Sequence, residues 1–96
     1  MKREAFEKEL VKIVSISKEF GANKVVLFGS CVSDIKSARD IDIAVSGVEA
    51  KDFFKFYGKI SMSVDDEVDL IDLDDTREHL RKRILSKGKL IYERAV

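Results

Sequence analysis

The sequence predicts a single α/β domain in which one mixed sheet of three or four strands is flanked by helices. Two observations predict this class: some segments repeat apolar residues at helical spacing, and short continuous runs of β-forming residues lie between them. The 96 residues, 45% of them apolar, suffice for one hydrophobic core, so we treat residues 1–96 as one domain. Helices and strands alternate without an internal repeat, which is typical of helices that cover one sheet.

The first half of the chain predicts a long helix and two strands. Residues 2 to 20 carry apolar side chains near the 3.6-residue period of an amphipathic helix, and Gly21 follows, where a helix end favours glycine. The members of this stripe are Phe6, Leu10, Ile13, Val14 and Phe20. Val25 to Phe28 is a continuous apolar run, typical of a buried strand, and Ile41 to Val45 predicts a second strand.

The second half predicts two helices, a third strand and a shorter fourth strand. The first of these helices has an apolar stripe formed by Ala50, Phe53, Phe54, Tyr57 and Ile60, which is more typical of a core than of a base-stacking platform. Phe56 falls outside this stripe, so we expect it to be exposed or at an interface. Val68 to Leu73 predicts the third strand, Gly88 ends the last helix, and Leu90 to Tyr92 predicts an edge strand. Capping-box spacing precedes both helices, at Ser46 with Glu49 and at Asp75 with Glu78.

Composition excludes several classes of protein. One cysteine excludes an intramolecular disulfide framework and favours the reducing cytoplasm. No apolar stretch reaches the roughly 20 residues of a membrane span, and the charged N-terminus is unlike a signal peptide. The 18 basic and 18 acidic residues balance, which argues against a general nucleic-acid coat. Locally, residues 65–75 are acidic and residues 76–96 are mainly basic.

Two carboxylates lie side by side on the second predicted strand. Asp40 and Asp42 are two residues apart, so they point to the same face, where their like charges repel unless a cation lies between them. Carboxylate oxygens of this kind suit magnesium. The alternative is that this face of the strand is simply in water. Asp69 on the third strand favours the magnesium interpretation, because Val68 and Leu70 would bury the opposite face and leave Asp69 beside the pair.

The Gly29-Ser30 pair ends the first strand and is predicted to open a short helix. Free backbone N–H groups at a helix N-terminus bind phosphate, glycine allows close approach, and the Ser30 hydroxyl adds a donor. Taken alone, Gly-Ser is also a common turn. A Walker loop is excluded, since no GxxxxGK[ST] sequence is present.

These motifs together resemble the minimal nucleotidyltransferases of the DNA polymerase β superfamily, of the MntA-like antitoxin type. The resemblance rests on Gly29-Ser30, nine intervening residues, Asp40-Ile41-Asp42, and the later Val68-Asp69-Leu70. It implies a palm-like nucleotidyltransferase fold. It also implies transfer of a nucleoside monophosphate, commonly AMP from ATP, to a hydroxyl group with release of pyrophosphate.

The resemblance implies roles for particular residues. Asp40, Asp42 and Asp69 would hold two Mg²⁺ ions, with Asp69 also orienting or deprotonating the acceptor hydroxyl. Gly29 and Ser30 would hold the triphosphate. Many relatives carry arginines directly after this pair, where this chain has Cys31-Val32-Ser33-Asp34. Lys36 and Arg39 are the basic residues nearby that would contact the phosphates instead.

The resemblance also implies a partner. Minimal relatives are often paired with a small helical HEPN toxin, and some modify it with AMP. We therefore expect the acceptor on another chain, either such a partner or a second copy of this one. The basic last helix (Arg77, Arg81, Lys82, Arg83) suits an acidic partner or RNA. A binding module that neutralises its partner by contact, without catalysis, is the alternative function.

Overall fold

The computed structural model describes residues 3–29 and 40–95. These ranges contain three α-helices, four strands and two short 3₁₀ turns at Ala50–Asp52 and Leu73–Asp75. The helices are α1 (Arg3–Glu19), α2 (Phe53–Ser63) and α3 (Glu78–Lys87). The strands are β1 (Lys24–Phe28), β2 (Asp40–Ser46), β3 (Glu67–Asp72) and β4 (Lys89–Glu93). The predicted α/β class is confirmed, whereas the helix predicted after Ser30 lies outside the described residues.

The four strands form one mixed sheet in the order β3-β2-β1-β4. Of the two central strands, β1 pairs antiparallel with both β2 and β4, and β2 pairs parallel with β3. A parallel pair needs a crossover connection, and α2 supplies it. The fourth strand is confirmed at one edge of the sheet.

Each face of the sheet is covered by different helices. Side chains from α1 and α2, such as Ile13 and Phe56, pack with Ile41 and Ile43 of β2 on one face. On the other face, Ile84 of α3 packs with side chains of β1 and β2. Since strand residues alternate between faces, Asp40 and Asp42 lie on the α3 face. No helix in the described ranges is long and apolar enough to cross a membrane.

The expectation that Phe56 is exposed is wrong. Its side chain is fully buried and packs between Phe20 and Phe53, with ring centroids 5.3 and 5.9 Å away. Phe54 is 90% exposed instead. Helical spacing from Phe53 allows either Phe56 or Tyr57 on the buried side, and packing of α2 against α1 selects Phe56.

Neither predicted capping box forms. Ser46 ends β2, and α2 begins later with Asp52 at its N-cap; α3 has Arg77 at its N-cap. Neither N-cap side chain accepts a backbone hydrogen bond. The 3₁₀ turns delay both helix starts beyond the residues with capping-box spacing. Asp72 instead caps the second turn, where its Oδ1 accepts from the Asp74 N–H at 3.0 Å.

Candidate active site

The three carboxylates named from the sequence lie on adjacent strands. The parallel register of β2 and β3 places Asp42 directly beside Asp69, and Asp40 is two residues from Asp42 on the same face. Asp40 and Asp42 are half-buried, whereas Asp69 is exposed. Asp72 is three residues from Asp69 on β3 and so lies on the opposite face, where its side chain accepts from the Asp74 N–H.

The pKa of Asp42 is raised above its usual value. Burial is the largest cause, followed by a hydrogen bond with the Asp69 side chain and by the negative charges of Asp69 and Asp40. Burial and the two neighbouring carboxylates thus all disfavour the charged form of Asp42. A cation bound beside Asp42 would relieve this repulsion between its carboxylate and those of its neighbours.

The donor set has the chemistry of a magnesium site. Three carboxylates supply the hard oxygen ligands that Mg²⁺ prefers, and a cation beside Asp42 and Asp69 would offset their mutual repulsion. Within residues 3–29 and 40–95, however, no three acidic, histidine or cysteine side chains are already arranged to hold a metal ion. The three carboxylates therefore have the ligand type that Mg²⁺ prefers, but their side chains are not already arranged around a metal position.

Gly29 brings the backbone at the end of β1 against Asp42. Its φ is +73°, a conformation that other residues rarely adopt, and a Cβ there would overlap Asp42 Oδ2 and lie 3.0 Å from Asp42 Cγ. Phe28, the preceding residue, is the register partner of Asp42 across the β1–β2 pair. Only glycine therefore fits this turn without displacing the carboxylate. The other proposed phosphate contacts, Ser30, Lys36 and Arg39, lie outside the described residues.

A cavity of about 440 Å³ adjoins Gly29 on the α3 face. It is lined by Phe28, Gly29, Leu80, Arg83, Ile84, Lys87 and Gly88. The sequence pattern indicates no site at Lys87 and places Arg83 only in a general basic surface. Their i, i+4 spacing beside the apolar Leu80 and Ile84 is the sequence signal that could have linked them. A larger cavity, about 810 Å³, lies at the opposite end of β1 around Asn23 and Glu93, far along the strand from the carboxylates.

Comparison with known proteins identifies the family. Residues 10–95 match the family described as Polymerase beta, Nucleotidyltransferase. The chain belongs to this nucleotidyltransferase family. The family assignment made from Gly29-Ser30, Asp40 and Asp42 is confirmed. The comparison of this chain with curated proteins found no match.

Solved structures share the nucleotidyltransferase fold. A structure described as a minimal nucleotidyltransferase superposes with a TM-score of 0.76 and 22% identity, over 92% of this chain and 94% of its own. A toxin-antitoxin structure with AMP-PNP superposes with a TM-score of 0.73 and 24% identity, over 88% of this chain and 73% of its own. A complex of the tri-AMPylated Shewanella oneidensis HEPN toxin with MNT antitoxin superposes with a TM-score of 0.71 and 24% identity. The match covers 92% of this chain and 72% of the other. At these identities the likeness establishes the fold, and the roles of Asp40, Asp42 and Asp69 stay predictions.

Proposed function

We propose that this chain is a magnesium-dependent nucleotidyltransferase that transfers AMP from ATP to a hydroxyl group of a partner protein in the cytoplasm. The observation that supports this most is the register of β2 and β3, which sets Asp42 beside Asp69 next to the Gly29 turn. Family membership supports the reaction class. A purely structural role for this cluster is disfavoured, because burial and mutual repulsion raise the pKa of Asp42.

The proposed reaction is an in-line displacement at the α-phosphorus of ATP. The acceptor oxygen forms a bond to this phosphorus while the bond to the bridging oxygen breaks, and pyrophosphate leaves with the bonding electrons. Asp69, the exposed carboxylate, orients the acceptor hydroxyl and takes its proton. When bound at Asp40, Asp42 and Asp69, magnesium supplies positive charge that offsets the charge on the attacking and leaving oxygens.

The turn after β1 is the proposed cradle for the triphosphate. Gly29 has no side chain, so a phosphate can approach its backbone, and the Ser30 hydroxyl would donate to a phosphate oxygen. Lys36 and Arg39 would contribute positive charge in the same segment. Charge at this position matters because the carboxylates alone would repel ATP.

A HEPN toxin is the proposed acceptor. Solved structures with the same fold include complexes of toxin with antitoxin, one of which contains an AMPylated HEPN toxin. Asp69 faces outward at the β3 side of the sheet, where an acceptor from another chain can reach it.

Contact neutralisation without catalysis is the second candidate. It is favoured by Cys31-Val32-Ser33-Asp34, which stands where many relatives have arginines beside the triphosphate. A chain without enough positive charge there would bind its partner yet transfer AMP poorly.

The test is transfer of label from α-labelled ATP. The chain is incubated with labelled ATP and Mg²⁺, together with native lysate or with a purified HEPN protein as the acceptor. We expect a labelled band of the partner with wild type, none with Asp42→Asn, and unchanged label with Asp65→Asn, an exposed acid outside the cluster. Label that persists in Asp42→Asn would refute catalysis at this site. Partner capture without any label would support neutralisation by contact.

A further inference from the structure

The cavity between α3 and the end of β1 continues the surface that carries the carboxylates. Phe28 alternates with the buried Leu27, so its side chain lies on the α3 face, like that of Asp42. Gly29 both lines the cavity and touches Asp42. Gly29 therefore joins this cavity to the surface at Asp42, so a long ligand that contacts Asp42 can reach the cavity.

The polar groups of the cavity are two cations. Arg83 and Lys87 are one helical turn apart, so both point from α3 to the same side. None of the described lining residues is acidic, and neither cation forms an ion pair with another described residue. Their neighbours on α3 are engaged elsewhere: Lys82 pairs with Glu78 at 3.5 Å, and Arg81 Nε donates to the Leu73 carbonyl at 2.9 Å.

Gly88 fixes the position of this cation pair relative to β1. A Cβ at Gly88 would lie 2.5 Å from the Ile84 carbonyl oxygen, 2.6 Å from Val26 Cγ1 and 2.9 Å from the Leu27 carbonyl oxygen. The helix end therefore packs directly on β1, the strand that ends at Phe28 just before Gly29. The C-terminal end of α3 carries only about half a negative charge, which the two side-chain cations outweigh.

We infer that Arg83 and Lys87 bind the terminal phosphates of the nucleoside triphosphate. The inference rests on the proposed function, since it assigns the polyphosphate end of the same substrate. Carboxylates with magnesium on one side and two cations on the other would hold the anionic chain between them, across Gly29. A neutral base in this cavity would leave both cations without a counter-charge, so the phosphate end is favoured.

The test is calorimetric titration of the full chain with ATP, AMP and inorganic tripolyphosphate, with Mg²⁺ and at fixed ionic strength. We compare wild type, Arg83→Gln, Lys87→Gln, the double variant, and Lys82→Gln as a matched surface control. The double variant is expected to bind ATP and tripolyphosphate at least about tenfold more weakly and AMP less than about threefold more weakly, because AMP lacks the terminal phosphates. Lys82→Gln is expected to change neither. Thermal unfolding shows that each variant is folded, and Arg83→Lys retains the charge.

The outcomes separate this inference from the proposed function. The phosphate site at Arg83 and Lys87 would be refuted if wild type and the double variant bound ATP equally well. It would also be refuted if the double variant lost as much affinity for AMP as for ATP, or if wild type bound neither ATP nor tripolyphosphate. Binding that depends on Arg83 and Lys87 without any AMP transfer would support the phosphate site and refute the transferase. Transfer with an unchanged KM for ATP in the double variant would support the transferase and refute the phosphate site.

Discussion

Replacing Gly29 by alanine should destabilise the fold through Asp42. The positive φ of Gly29 costs an alanine about 1–2 kcal/mol. The new Cβ would also overlap the Asp42 carboxylate, and displacing a packed side chain costs about 1–3 kcal/mol more. The expected loss is therefore about 2–5 kcal/mol, which lowers the melting temperature by at least about 8 °C in a domain of this size.

A double-mutant cycle measured by chemical denaturation isolates the overlap. In an Asp42→Ala background the carboxylate is gone, so Gly29→Ala should lower the free energy of unfolding only by the conformational cost of about 1–2 kcal/mol. The coupling energy between the two substitutions should then be about 1–3 kcal/mol. Gly21→Ala is the matched control, because Gly21 has φ +80° and nothing within 4 Å of its Cβ position. Equal costs at Gly29 and Gly21, or the same cost with and without Asp42, would refute the contact.

Two further predictions concern stability. Because burial and its neighbours raise the pKa of Asp42, the stabilisation from its bound proton is present below about pH 4 and is lost as the pH rises through the folded-state pKa. Asp42→Asn should therefore melt higher than wild type at pH 7 in EDTA and equally at pH 3. Phe56→Ala should lose about 3–5 kcal/mol in denaturant titrations, since the ring is fully buried. Phe54→Ala, at 90% exposure, should stay within about 0.5 kcal/mol of wild type.

Each of these has a contradicting result. A lower melting temperature for Asp42→Asn at pH 7 would mean that the carboxylate is a structural group. A larger loss for Phe54→Ala than for Phe56→Ala would mean that α2 is rotated and that the sequence expectation was right.

Residue type and spacing were sufficient to predict most of the sheet and the carboxylate cluster. Alternation along β2 and β3 determines that Asp42 and Asp69 share a face, whichever residues cover it. The orientation of α2 was not predictable in this way, because Phe56 and Tyr57 fit the helical period equally and only packing on α1 decides between them. The i, i+4 spacing of Arg83 and Lys87 predicts that they share a face of α3, but only the folded chain brings that face to Phe28 at the end of β1.

The pairing of β4 with β1 has a consequence for biosynthesis. Lys24 of β1 aligns with Glu93 of β4, and the Arg94 N–H donates to the Asn23 carbonyl at 2.7 Å. The strand β1 therefore gains its second neighbouring strand only when β4 is present. During translation β1 remains an unpaired apolar edge until residue 93 has left the ribosome. A nascent or truncated chain that stops before Lys89 exposes Val25, Val26 and Leu27 to other chains, and we expect it to aggregate before a nucleotide site can form.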